Sequence, residues 1–284
     1  MAAATANPSA PGSSVSASAV SGWVSALRFG ALTVCIGVVL SLLAQPWLPL
    51  SWWKVFRRCA SIAAALSVWI ILSKIEHRSI RSYGLGDWRA GKRQLAFGLL
   101  LGAGTLAVLL GGGVLVGVCR INLTPDLARF WRTLIGFVPA ALLVSVLEEL
   151  VFRGILLQHL QRASTPMIGM LLSSALYAVV HVKHAPFAMG TFLDLVGLFL
   201  LGCVLAMTYA KTGQLYLAIG LHASLAYGVR VDKLFIEFPE PSWLGGTSRI
   251  VNGLPGWLAL LGLAGVIIWW ARSARRRIGE RRHE

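Results

Sequence analysis

Charge is scarce in this sequence, and negative charge is scarcest. Only 13% of the 284 residues are Asp, Glu, Lys or Arg, about half the share found in an ordinary soluble domain. So little charge cannot keep a disordered chain solvated. It is also too little to cover the surface of a water-soluble enzyme of this length. Cysteine is rare as well. Cys35, Cys59, Cys119 and Cys203 form no C-x-x-C pair, which argues against a disulfide framework and against a thiolate zinc site. All four lie in or beside apolar runs and read as buried thiols in helices. The 30 glycines follow no collagen-like period, and no internal repeat or second domain is evident.

Apolar residues are abundant. They make up 56% of the chain, and the mean hydropathy is +0.71. This is the composition of a polytopic membrane protein. A helix needs about 20 apolar residues to cross the hydrocarbon core. The runs at 29–53, 55–73, 94–118, 133–147, 164–182, 191–210, 213–229 and 254–270 predict an all-α transmembrane helix bundle of about eight spans. The third is rich in glycine, which permits close helix approach. Residues 1–22 carry no charged side chain and read as a disordered tail. Residues 23–271 form the membrane-embedded domain, and 272–284 are a basic tail. The connector 74–93 is polar and basic and suits a membrane surface.

The net charge of +15 would point to nucleic acid in a soluble protein. Here the cations flank the apolar runs and fill the tail, so they read as topology signals and contacts to anionic lipid in the bilayer, with no nucleic-acid partner. Eight spans place both termini on one side. That side carries more Lys and Arg, which predicts both termini in the cytoplasm. A weak bias to Ala, Leu and Arg suggests a bacterial cell membrane.

Ionisable groups inside the hydrocarbon region cost about 2.5–3.5 kcal/mol each on insertion scales, so each one needs a reason. Glu148, Glu149 and Asp194 are the acids within or directly against the apolar runs, and His181 and His222 are the embedded histidines. Glu149 and Arg153 stand four apart, acid first, and can pair on a helix. Glu148 lies about 100° round the helix and is less directly neutralised. Two adjacent carboxylates in a low dielectric cannot both ionise cheaply. One is expected to pair with Arg153, the other to serve as a base. A plain structural salt bridge would explain this hexapeptide alone. Tyr177 and His181 share a helix face, and His222 sits inside the short seventh run. Together with the acidic pair they are better explained by one shared polar site. Asp194 is expected to cap the start of the sixth span, or to pair with Lys183 or reach His184.

These blocks carry a resemblance. Glu148, Glu149 and Arg153 form an E-E-x-x-x-R run. Tyr177 and His181 form an aromatic-x-x-x-H block. His222 follows Thr212-Gly213-Gln214-Leu215. In order and spacing they resemble the CPBP family of intramembrane proteases, which includes the type II CAAX prenyl endopeptidases and the bacterial Abi or bacteriocin-immunity proteins. The likeness covers about 130–230. It implies a glutamate-dependent endopeptidase without a cofactor, acting near the C-terminus of a membrane-associated peptide or protein. In that reading Glu148 activates a water, His181 orients it, His222 donates to the oxyanion, and Glu149 and Arg153 hold the helix. The third block of the family continues H-x-x-x-N, where this chain has Ala226; Ser224 and Tyr227 are alternative donors. Three alternatives remain open at this level: a non-catalytic scaffold or immunity protein, a zinc-dependent variant with Glu148, His181 and His222 as ligands, and a transporter. A transporter should show repeated halves, and none is visible. The substrate, its prenylation and the oligomeric state are not legible.

Overall fold

The computed structural model describes residues 12–181, 189–237 and 252–280, with side chains from 19 to 273 within those ranges. The fold is all-α, a polytopic transmembrane bundle. Six helical stretches are long and apolar enough to cross a membrane: Ala19–Trp47, Trp52–Ile75, Ile80–Leu115, Leu127–Ala163, Met189–Thr212 and Leu254–Ser273. The other two expected spans are also helical, but at 16 residues each they are short.

In chain order the helices are α1 (Gly12–Ala44), α2 (Trp52–Ile70), α3 (Trp88–Leu115), α4 (Leu127–Glu149), α5 (Leu157–Ala163), α6 (Pro166–His181), α7 (Met189–Thr212), α8 (Tyr216–Val231) and α9 (Leu254–Glu280). A π-helical segment, Leu150–Leu156, joins α4 to α5. Two short strands, β1 (Arg120–Ile121) and β2 (Ile236–Glu237), pair antiparallel and tie the α3–α4 loop to the chain after α8.

Several boundaries differ from the sequence reading. α1 begins at Gly12, inside the stretch read as a tail, and residues 1–11 lie outside the described set. The first apolar run ends early because Pro46 sits in a 3-10 turn, Gln45–Trp47. Proline lacks the N–H that would carry a helix onward. α3 starts at Trp88 and takes in the last third of the basic connector. The run at 133–147 extends in both directions, through the acidic pair, to Ala163. The cysteines also split. Cys59 is a buried helix thiol, Cys35 lies on an exposed face, Cys203 is half-buried, and Cys119 is buried in the loop after α3.

Two of the few acids are used as caps. Asp87 accepts from the backbone N–H of Arg89 and starts α3; Asp126 accepts from that of Arg129 and starts α4, both at 2.9 Å. Each satisfies a donor that the first turn leaves open. α8 lies among α3, α4 and α7 and is buried along most of its length. It runs parallel to α3, with Gly98 against Leu217 and Leu221, Gly102 against Ser224, and Gly228 against Leu106. A side chain at Gly220 would collide with the backbone of Leu95 and Leu99. Gly98 and Gly102 of the third apolar run therefore serve close helix approach, whereas Gly104, Gly111 and Gly112 have nothing within 4 Å. Large apolar side chains such as Leu43, Val108 and Leu143 point outward, where lipid would cover them.

Candidate active site

The site begins where α4 gives way to the π segment. A π turn carries i→i+5 hydrogen bonds and loosens the helix locally. Here Ser173 of α6 donates to the carbonyl of Phe152 at 2.9 Å, so a hydroxyl from a neighbouring helix helps satisfy the widened turn. All seven residues of the segment are buried.

Glu149 and Arg153 are both fully buried and pair at 2.9 Å, as their spacing predicts. The second guanidinium nitrogen donates to the carbonyl of Gly202 on α7 at 3.2 Å. The guanidinium also lies over the Tyr177 ring, 4.6 Å from its centroid. The same Glu149 oxygen that takes Arg153 lies 2.7 Å from His222 Nδ1. A carboxylate only accepts, so this nitrogen carries the proton. His222 is therefore fixed by Glu149, and its Nε2 faces the other carboxylate.

That carboxylate is Glu148. Its Oε2 lies 3.1 Å from His181 Nε2 and 3.7 Å from His222 Nε2. His181 Nδ1 lies 2.8 Å from the carbonyl of Tyr177, one turn back on α6. The carbonyl can only accept, so Nδ1 bears a proton, and Nε2 faces the Glu148 carboxylate. The Tyr177 ring lies 4.4 Å from the His181 ring and keeps it in place. Glu148 and His181 keep about a quarter of their side-chain surface open, at 23% and 25%. The site thus has a sealed half, Glu149 and Arg153, and an open half, Glu148 and His181, with His222 between them.

All five residues expected from the sequence come together. The possible substitutes for an amide at Ala226 do not. Tyr227 spends its hydroxyl on the carbonyl of Leu134 at 2.7 Å, and Ser224 packs on Gly102 of α3. Asp194 is not a cap. It sits more than a turn inside α7, buried, and accepts from the side-chain amide of Asn252. Lys183 and His184, its other expected partners, lie outside the described residues. Sequence reasoning missed Asn252 because it stands outside every apolar run and far along the chain. It also missed a second acid–imidazole pair. Glu76, just past α2, lies 3.0 Å from buried His159 of α5 and accepts from Tyr83. Burial holds the Glu76 carboxyl above its usual range, against the pull of Arg162 and Arg78. Among the described residues, no group of three or more His, Cys, Asp or Glu is arranged to hold a metal ion.

No curated protein and no solved structure matches the chain. Residues 130–227 match the family described as Rce1-like, type II CAAX prenyl endopeptidase. The matched segment runs from early α4 through the acidic pair, His181 and His222, and it supports the resemblance to the CPBP family read from the motifs.

Proposed function

We propose that the protein is an intramembrane endopeptidase that hydrolyses a peptide bond near the C-terminus of a membrane-associated peptide or protein. One observation carries the reading. A carboxylate that keeps about a quarter of its surface open, Glu148, faces two imidazoles from separate helices, while a second carboxylate and an arginine lock the arrangement from behind. A purely structural ion pair has no need of the second acid or of either histidine.

In the reaction, Glu148 takes a proton from a water as the water oxygen bonds to the scissile carbonyl carbon. His181 holds Glu148 and the water in line. The carbonyl electron pair moves onto oxygen, and His222, carrying a proton on each ring nitrogen and anchored through Nδ1 to Glu149, donates to that oxygen from Nε2. The C–N bond then breaks, and the proton held by Glu148 passes to the leaving nitrogen. The products are a carboxylic acid and an amine. The apolar helices keep bulk water away and strengthen each of these interactions. Both termini are placed on the cytoplasmic side, on the strength of the Lys and Arg excess there.

The test uses purified full-length protein in lipid nanodiscs with internally quenched peptides ending in Cys-aliphatic-aliphatic-X, prenylated and unprenylated. Wild type is expected to cleave at least one form, and Glu148→Gln to lose about 10²–10⁴-fold in kcat with its melting temperature held. Wild-type turnover by the variant would remove Glu148 as the base. A second arm strips metal with a chelator. Full activity is expected to persist. Loss of activity that added Zn²⁺ restores would replace this reading with the zinc-dependent one.

A further inference from the structure

Ser145 has no part in the reaction described so far, yet it is buried with 0% exposure one turn before the acidic pair. The other buried serines and threonines each donate to a backbone carbonyl: Ser41 to Gly37, Ser67 to Ala63, Ser174 to Met170, Thr208 to Leu205, and Ser173 across to Phe152. Among the described residues Ser145 Oγ has no hydrogen-bond partner, although the carbonyl of Ala141 is within reach one turn back in the usual helical geometry. A buried hydroxyl left unsatisfied costs about 1–3 kcal/mol. Its retention in so apolar a helix calls for a use.

Its position supplies one. Ser145 stands three residues before Glu148 and four before Glu149. Residues at those spacings are surface neighbours on a helix, about 5–6 Å apart at Cβ. α8 crosses this face antiparallel to α4, with His222 on Glu149 at 2.7 Å and Arg230 over Phe137 at 5.8 Å. One turn back from Glu149 on α4 therefore comes opposite one turn on from His222 on α8. Ala226 occupies that turn, and alanine brings no polar group to partner the hydroxyl. A donor is needed there. His222 has committed Nδ1 to Glu149, which leaves Nε2 alone for a developing oxyanion, and such charge is best held by more than one preorganised donor.

We propose that Ser145 is a catalytic hydrogen-bond donor, giving its hydroxyl to the carbonyl oxygen of the bound peptide across from His222. The inference rests on the peptidase reading above. Ser145 makes and breaks no covalent bond. Its O–H orients toward the carbonyl oxygen and strengthens its hydrogen bond as that oxygen gains charge.

The experiment measures kcat, KM and melting temperature for wild type, Ser145→Ala, Ser145→Thr and the double variant Ser145→Ala with Ala226→Asn, using the cleaved quenched peptide. Ser145→Ala is expected to lose about 10²-fold in kcat, with KM unchanged and melting temperature equal or higher, since the hydroxyl removed had no protein partner. Ser145→Thr keeps a hydroxyl and should recover much of the rate. The double variant, with an amide supplied from the facing turn, should recover part of it. Full kcat in Ser145→Ala overturns the proposal while leaving the peptidase reading intact. So does a loss matched by lower stability and not recovered by threonine. Recovery by threonine but not by the double variant overturns the placement opposite Ala226. No cleavage by wild type overturns the peptidase reading, and the role of Ser145 with it.

Discussion

Arg153 is the residue on which the sealed half of the site turns. It neutralises Glu149, reaches the Gly202 carbonyl and covers the Tyr177 ring. Removing one partner of a buried ion pair leaves the other charge uncompensated, which costs about 3–5 kcal/mol. Arg153→Met should therefore lower stability by about that much in a thermal or denaturant melt, with activity lost alongside. Arg153→Lys should restore little, because an ammonium cannot reproduce the planar fork that spans Glu149 and Gly202. A melt unchanged by Arg153→Met would show that water or another cation had taken up the charge. The pairing was legible in the sequence because four residues on a helix is a fixed spacing. The further bonds to His222 and Gly202 were not, since they come from helices far along the chain. Asp194 shows the same limit. Its position near a span start pointed to a cap, but its partner is Asn252 on a separate segment.

At the scale of elements, two devices build the site. The π segment loosens the long helix just where the carboxylates and Arg153 must be presented. The glycine stripes let α3 and α8 approach at backbone distance, which sets the depth and rotation of His222. Gly220→Val would drive a side chain into the Leu95 and Leu99 backbone, and backbone cannot give way as a side-chain tip can. A loss of stability of about 1–3 kcal/mol or more is expected, together with loss of activity as His222 shifts. Gly104→Ala is the control. Nothing lies within 4 Å of its Cβ, so the melt should be unchanged or slightly higher. Equal effects from the two variants would remove the close packing as the cause. The apolar runs announced these helices. The π segment was not legible, because apart from Arg153 and Gly154 its residues are as apolar as any α-helical stretch. The ends at Pro46 and Trp88 depend on local turn chemistry that hydropathy averages away.

Across the whole molecule, charge is confined to a few places, and pH acts through them. Asp232 follows α8, next to the strand pair, and burial pushes its carboxyl up to about 7, against the N–H and ammonium of Lys233. The folded chain therefore holds a proton that the unfolded chain, with an ordinary aspartate near 3.8, gives up. Stability from this group is fully present below the unfolded value and is lost as pH rises toward 7. Asp232→Asn should match wild type in acid and become progressively more stable than it between pH 4 and 7, with a constant advantage above. Melting curves of the two proteins across that range test this; parallel curves would show that Asp232 titrates normally.

The sequence by itself determined the environment and the chemistry. Long uncharged runs demand helices in lipid, because backbone groups there must bond within their own segment. The cost of burying charge singled out a handful of acids and histidines as a functional set. Tertiary structure alone decided how that set is divided. Which carboxylate is sealed against arginine, which faces the two imidazoles, and which hydroxyl is left without a partner depend on the rotation and depth of four separate elements. Those follow from side-chain and glycine contacts between residues distant in the chain, and no local period records them.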